Sequence, residues 1–405
     1  MSSTSKIDFS SLKPSELVRK VSHDGLLFFD SAGNFPNSYG EPLSIIAAEP
    51  TKVLRGHISQ PEALIRHLKL GADSQTDLGF PDGGLAGWVD YEGNYTFGVY
   101  DSFWVYAHRQ EHWLQEGGRL RTHHHDGLYR TSKWTPMMSK QEYLTSIHKA
   151  KDYISAGDIY QVNLSQKFIA DLEADGSLYQ LYEQLRESSP APMACYGNLG
   201  GRELLCSSPE TFLRMSGRVI ETRPIKGTSP RYVESEKDNL SAYQLMSSPK
   251  ENAELVMITD LLRHDLGQIC EYGSVKVDEL LKVEKLEQVY HMVSTVRGQM
   301  RPEVNHVEAL CSSLPGGSIT GAPKIRAMEV IKELENCQRG LYTGVVGYLG
   351  YNGESQFNII IRSLVRDYDQ LHYHVGAGIV ADSVPEKEYE ETLMKAEGIR
   401  QALEK

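Results

Sequence analysis

Two glycine turns constrain this chain most. Ser216-Gly217 joins the alternating apolar runs 211–215 and 219–223, and Asn352-Gly353 joins the strand-like runs 342–351 and 357–366. A connection that short closes only antiparallel strands, because parallel neighbours need a crossover of about a dozen residues or more. Around these hairpins the apolar period becomes helical at 141–155, 178–188, 249–263, 323–335 and 384–403, with further strands at 160–169 and 371–381. The expected fold is therefore α/β of the α+β type with antiparallel sheet. Ser248 with Glu251, and Ser383 with Glu386, read as capping boxes opening two of the helices, and Pro249 suits the first helical position.

The residues before 135 show strand and loop punctuation, and the polar stretch 108–133, with His123-His124-His125, reads as a surface loop. We set a region boundary there, 1–135 against 140–403. Three adjacent histidines on extended chain alternate in direction, which argues against a shared metal. The net charge of −12 argues against nucleic-acid backbone binding but leaves small anions open. The five cysteines, Cys195, Cys206, Cys270, Cys311 and Cys337, have no CxxC spacing and read as buried thiols of a cytoplasmic protein. No apolar run is long enough to span a membrane, and residues 1–13 carry no secretory signal.

Several groupings carry possible chemistry. Lys226 lies between Pro224 and Gly227 just past a strand, with Arg223 and Arg231 close in sequence. Neighbouring cations favour the neutral, nucleophilic amine. A turn centred on Ser216-Gly217 sets Glu210 opposite Arg223, near the same sheet end; the plainer reading is a cross-strand ion pair. Glu251 and Glu254 share one helix face, and Glu388 and Glu391 share another with Lys395 one turn on. Two such faces could hold Mg²⁺ through carboxylate oxygens, or be solvated surface. The glycine-rich loop 314–324 opens a helix, but no Lys-Ser/Thr follows Gly321, so it is not a Walker A loop. Gly376-Ala377-Gly378 lacks the βαβ unit that a dinucleotide fingerprint requires.

Taken together these stretches resemble the chorismate-utilising enzyme family. The matching pieces are Gly157-Asp-Ile-Tyr-Gln-Val-Asn-Leu-Ser165, Ser208-Pro-Glu210, Arg223-Pro-Ile-Lys-Gly-Thr228, His291-Met-Val-Ser-Thr295, the loop 315–324, Gly376-Ala-Gly-Ile-Val-Ala-Asp382 and Glu391-Thr-Leu-Met-Lys395. The likeness covers residues 140–403 strongly and the earlier part weakly. It implies an anthranilate synthase component I-like fold, with antiparallel β-sheets packed face to face and helices outside.

The resemblance also implies roles. Anthranilate-forming members carry Ala where Lys226 stands, and isochorismate- and salicylate-forming members carry a water-activating lysine where Gln161 stands. Lys226 with Gln161 resembles the branch that aminates chorismate at C4 on the way to para-aminobenzoate and folate. Lys226 would be the nucleophile, Glu210 the general acid, and His291 and Thr320 would line the ring. Arg362, Lys395 and the amides of Gly376, Ala377 and Gly378 would take the carboxylates. Mg²⁺ would be held by Glu254 and Glu391, with Glu251 and Glu388. Ammonia would come from a separate glutamine amidotransferase subunit or from free ammonium, because no Gly-x-Cys-x-Gly turn is present. Some relatives hold tryptophan, which here would meet Ser31, Pro192, Met193 and Ala194; an arginine expected near Gly40 is absent. The run Arg263-His264-Asp265-Leu266-Gly267-Gln268 departs from the usual Arg-Asn-Asp pattern. Two other readings stand beside this one: an anthranilate synthase with an unusual lysine, and a non-catalytic chorismate- or partner-binding homologue.

Overall fold

The computed structural model describes residues 11–31, 42–71, 78–123, 127, 129–174 and 176–404. Their strands form two sheets, one of twelve strands and one of ten, and every strand pairing described is antiparallel. In the first sheet Gln161–Ala174 pairs with Gln370–Ile379, and the order continues through Ser363–Asp367, Arg202–Ser208, Met193–Leu199, Leu26–Asp30 and Leu43–Ala47. In the second, Ile225–Pro230, Val289–Gln299, Val219–Arg223, Thr211–Ser216, Glu354–Ile359, Val345–Gly350 and Gly84–Val89 follow one another.

Strand alternation builds the layers. Leu27 and Phe29 meet Ala86, Trp88, Val346 and Tyr348 in one buried cluster, which seals the two sheets face to face. Their neighbours Leu26 and Phe28 turn outward onto helices Pro14–Val18, Leu178–Ser188 and Glu397–Glu404. On the far side Leu85, Val89, Val345 and Leu349 pack against Leu266 and Leu310 of helices Pro249–Gly267 and His306–Ser313. Each large apolar side chain so buried contributes roughly 1.5–3 kcal/mol. Both sheets cross the boundary drawn near residue 135: Leu26–Asp30 pairs with Met193–Leu199, and Gly84–Val89 with Val345–Gly350.

Several local expectations are corrected. Ser216 pairs with Val219, so the first turn is Gly217-Arg218, and a bulge then sets Arg223 opposite Thr211 instead of Glu210. The run 357–366 is not one strand. Glu354–Ile359 belongs to the second sheet and Ser363–Asp367 to the first, and Arg362 at the crossover has a left-handed φ of 52°. The last helix is two, Pro385–Lys395 and Glu397–Glu404, broken at Ala396. Its N-cap is Val384 with no side-chain bond, because the Ser383 hydroxyl donates to Glu388 Oε1 instead (2.7 Å). At the other site only half the box forms: Ser248 Oγ accepts from the Glu251 amide at 3.4 Å. The polar stretch includes a strand, His112–Gln115, while His124 and His125 lie outside the described residues. All five cysteines are free thiols, three of them buried.

Candidate active site

A cavity of about 870 Å³ is lined by residues of both sheets. Its walls take Glu210, Lys226, Gly227 and His291 from the second sheet and its loops, and Asn163, His374, Gly376 and Gly378 from the first. Helix Pro249–Gly267 adds Glu251 and Glu254, helix Pro385–Lys395 adds Glu391 and Lys395, and the sheet-switching Arg362 lies between the layers.

A bulge places the lysine. Lys226 pairs with Met292 and Thr228 with His291, which leaves Gly227 as the extra residue at φ 75°. Lys226 Nζ donates to the Ser318 carbonyl at 3.4 Å. The two arginines expected to act on it are engaged elsewhere, Arg223 with Glu284 (2.6 Å) and Arg231 with Asp238 (2.8 Å). Lys226 instead faces carboxylates, and it acts electrostatically on Glu210, Glu254 and Glu391.

Glu210 is buried, and burial raises its pKa above the usual carboxyl range, opposed by Ser318, Lys226 and Arg362. His291 is 1% exposed, neither ring nitrogen has a partner, and burial with Arg362 nearby pushes its pKa down to about 3. It is a neutral imidazole at working pH.

The wall opposite is partly backbone. Beyond Tyr373 the strand Gln370–Ile379 has lost its neighbour Ser363–Asp367, so over 374–379 one edge is left uncovered beside the cavity. Gly376 and Gly378 line it, whereas Ala377 turns its methyl into the core. Lys395 Nζ bonds the Gly376 carbonyl (3.0 Å) and Glu391 Oε1 (2.8 Å). Burial lowers the Arg362 pKa against the pull of Glu210. Thr320 is set behind the wall, its hydroxyl donating to Gly316, while Ser318 and Ile319 reach the cavity.

The four glutamates on two helices do converge, with cations among them. Lys250 lies 3.3 Å from Glu388 and 4.0 Å from Glu254. Burial, then Glu251 and Glu391, raise the Glu254 pKa against Lys226 and Lys250. Against its own burial, Glu391 is held below the usual range by Lys395, Lys250 and Lys226. Among the described residues no three acidic, His or Cys side chains stand close enough to grip an ion as they lie. The donor set nevertheless suits a hard cation, and Glu388 Oε2 is buried without a partner.

Sequence reasoning missed Tyr342, whose hydroxyl is beside Gly376 and whose ring stacks on His374 at 4.9 Å. It also missed Lys250 and Ser318, which no periodicity marks. Ser31, Pro192, Met193 and Ala194 come together around a smaller cavity of about 70 Å³, where Gln356 Nε2 meets Met193 Sδ at 3.0 Å.

The chain belongs to the chorismate binding enzyme family, whose pattern matches residues 46–401. It is 36% identical over 378 residues to aminodeoxychorismate synthase component 1 of Bacillus subtilis (strain 168), covering 82% of this chain and 80% of that one. It is 45% identical over 266 residues to anthranilate synthase component 1 of Thermus thermophilus, covering 66% of this chain and 57% of the relative. Among solved structures, anthranilate synthase component I from Streptococcus pneumoniae TIGR4 superposes with a TM-score of 0.75 at 28% identity, over 88% of this chain and 92% of that one.

Proposed function

We propose that the cavity takes chorismate and that the chain exchanges its C4 hydroxyl for an amino group, giving 4-amino-4-deoxychorismate. The observation that carries this is Lys226 in the cavity wall beside a buried Glu210; the family resemblance implies Ala at that position in anthranilate-forming members. The identity to an aminodeoxychorismate synthase component 1 over four-fifths of both chains supports the same choice.

The residues divide the work as follows. Burial favours the neutral acid form of Glu210, and the reaction takes Lys226 as the free amine. Lys226 attacks C2, Glu210 protonates the departing C4 hydroxyl, and ammonia then adds at C4 and releases the lysine. His291, held neutral, adds no charge against the ring. Arg362, Lys395 and the uncovered strand edge at Gly376–Gly378 take the carboxylates. Mg²⁺ would sit with Glu254 and Glu391, supported by Glu251 and Glu388, and would offset the charge of the ring carboxylate.

Ammonia comes from a separate glutamine amidotransferase subunit, consistent with a cytoplasmic complex. Among the described residues no helix is long and apolar enough to cross a membrane. A tryptophan ligand at Ser31 and Pro192–Ala194 would need Met193 to move from Gln356. The reading is tested by incubating the chain with chorismate, Mg²⁺ and ammonium and separating the products. An amino-deoxychorismate product is expected; anthranilate, or unchanged chorismate, overturns it.

A further inference from the structure

Two carboxamides lie over two glycines in the cavity floor. Strand Gln161–Ala174 pairs Asn163 with Gly378 and Ser165 with Gly376, so Gln161, Asn163 and Ser165 share a face with His374, Gly376 and Gly378. A side-chain carbon on Gly376 would stand 2.7 Å from Asn163 Oδ1, and one on Gly378 would stand 2.6 Å from Gln161 Nε2. The glycines make the hollow that these amides occupy.

The Asn163 backbone is fixed in place, and its side-chain oxygen is unsatisfied. Its backbone N–H donates to Thr320 O (2.8 Å), and its carbonyl accepts from Arg339 Nη2 (2.7 Å), a buried arginine itself paired with Glu335. Its Oδ1 is buried and accepts no hydrogen bond, and Gln161 Oε1 is in the same state. A buried acceptor left without a donor costs roughly 1–3 kcal/mol, which a ligand carrying N–H or O–H groups would recover.

The reactants narrow the ligand, on the amination reading given above. Chorismate's carboxylates and ether only accept hydrogen bonds. Its one donor is the C4 hydroxyl, which Glu210 attends. Ammonia brings three N–H groups and needs acceptors that will not protonate it. The geometry points to Asn163 as the residue that seats ammonia for attack. His374, two residues before Gly376 on the same face, has a buried Nδ1 without a partner and is kept neutral by burial, so it offers ammonia no proton. From this seat the C4–N bond forms as the C2–N bond to Lys226 breaks. Both ring double bonds shift back, and one ammonia proton ends on the lysine nitrogen.

The test is steady-state kinetics of the full chain with chorismate, Mg²⁺ and varied ammonium. Asn163→Leu keeps the volume and removes the acceptor. It should raise KM for ammonia roughly ten-fold, the scale of one hydrogen bond. KM for chorismate should stay within about two-fold. An unchanged ammonia KM, or a chorismate KM that rises equally, overturns the assignment. Asn163→Ala, which only deletes atoms, repeats the measurement if the leucine variant does not fold. A wild-type chain that forms no aminated product would instead remove the amination reading itself, so the two failures are distinct.

Discussion

Gly227 and Glu251 touch across the seam between sheet and helix. A side-chain carbon on Gly227 would stand 3.0 Å from Glu251 Oε2 and 2.8 Å from Leu245 Cδ1. With φ at 75° the position also requires the left-handed backbone that glycine alone adopts freely. Gly227→Ala should cost about 1–3 kcal/mol of stability. It should lower turnover more than that loss alone predicts, because Lys226 is the preceding residue. Denaturant unfolding and product formation, measured on the same preparation, check both parts.

Lys226 should be labelled by its substrate. Chorismate without ammonia should leave an adduct of chorismate minus water on the peptide containing Ile225-Lys226-Gly227, seen by mass spectrometry. Lys226→Arg should be nearly inactive, since a guanidinium stays protonated. An adduct on another residue, or full activity in Lys226→Ala, would contradict the nucleophile assignment.

The paired acidic faces should bind Mg²⁺. Glu254→Gln and Glu391→Gln should each weaken Mg²⁺ binding, read by calorimetry, and lower turnover by about two orders of magnitude. EDTA should abolish turnover in the wild type. Activity that persists in EDTA would remove the metal from the reaction.

Acid should weaken the fold through buried histidines. His291 titrates near 3 in the folded chain against an ordinary value of 6.5, and His306, His372 and His374 are shifted in the same direction by burial. The unfolded chain therefore binds more protons between these values. Stability is present above about pH 6.5 and is lost as pH falls toward 3. For His291 alone the loss from pH 7 to 5 is about 2 kcal/mol. The drop in unfolding free energy between the two pH values, from denaturant titration, should be larger in wild type than in His291→Gln by about that amount; equal pH dependence would contradict it.

The antiparallel class and most strands were legible in the sequence because alternation and turn glycines are local signals. What escaped it depends on neighbours distant in the chain. Nothing in the run 357–366 marks the point at Arg362 where the strand changes sheets, because apolar residues lie on both sides of it, Phe357, Ile359, Ile360 and Ile361 before and Leu364 and Val365 after. The last helical period continues through Ala396 although the helix breaks there. The acid, the lysine and the two glutamate pairs stood out by residue type and spacing. Tyr342 and Asn163 did not, since an aromatic before a strand and an amide within one have no pattern of their own. Arg223 and Arg231 misled for the same reason: their partners, Glu284 and Asp238, were not visible from sequence position.

The shared ownership of both sheets has a kinetic consequence during synthesis. Strand Leu26–Asp30 cannot complete its pairing until Met193–Leu199 exists, and Gly84–Val89 waits for Val345–Gly350. Such distant pairings close slowly, and the waiting edges and apolar faces are open to aggregation meanwhile. The early strands therefore spend most of translation as unmatched edges. The chain reaches its native state only after nearly all of it has left the ribosome, which makes chaperone capture of the first hundred residues an expected step in its production.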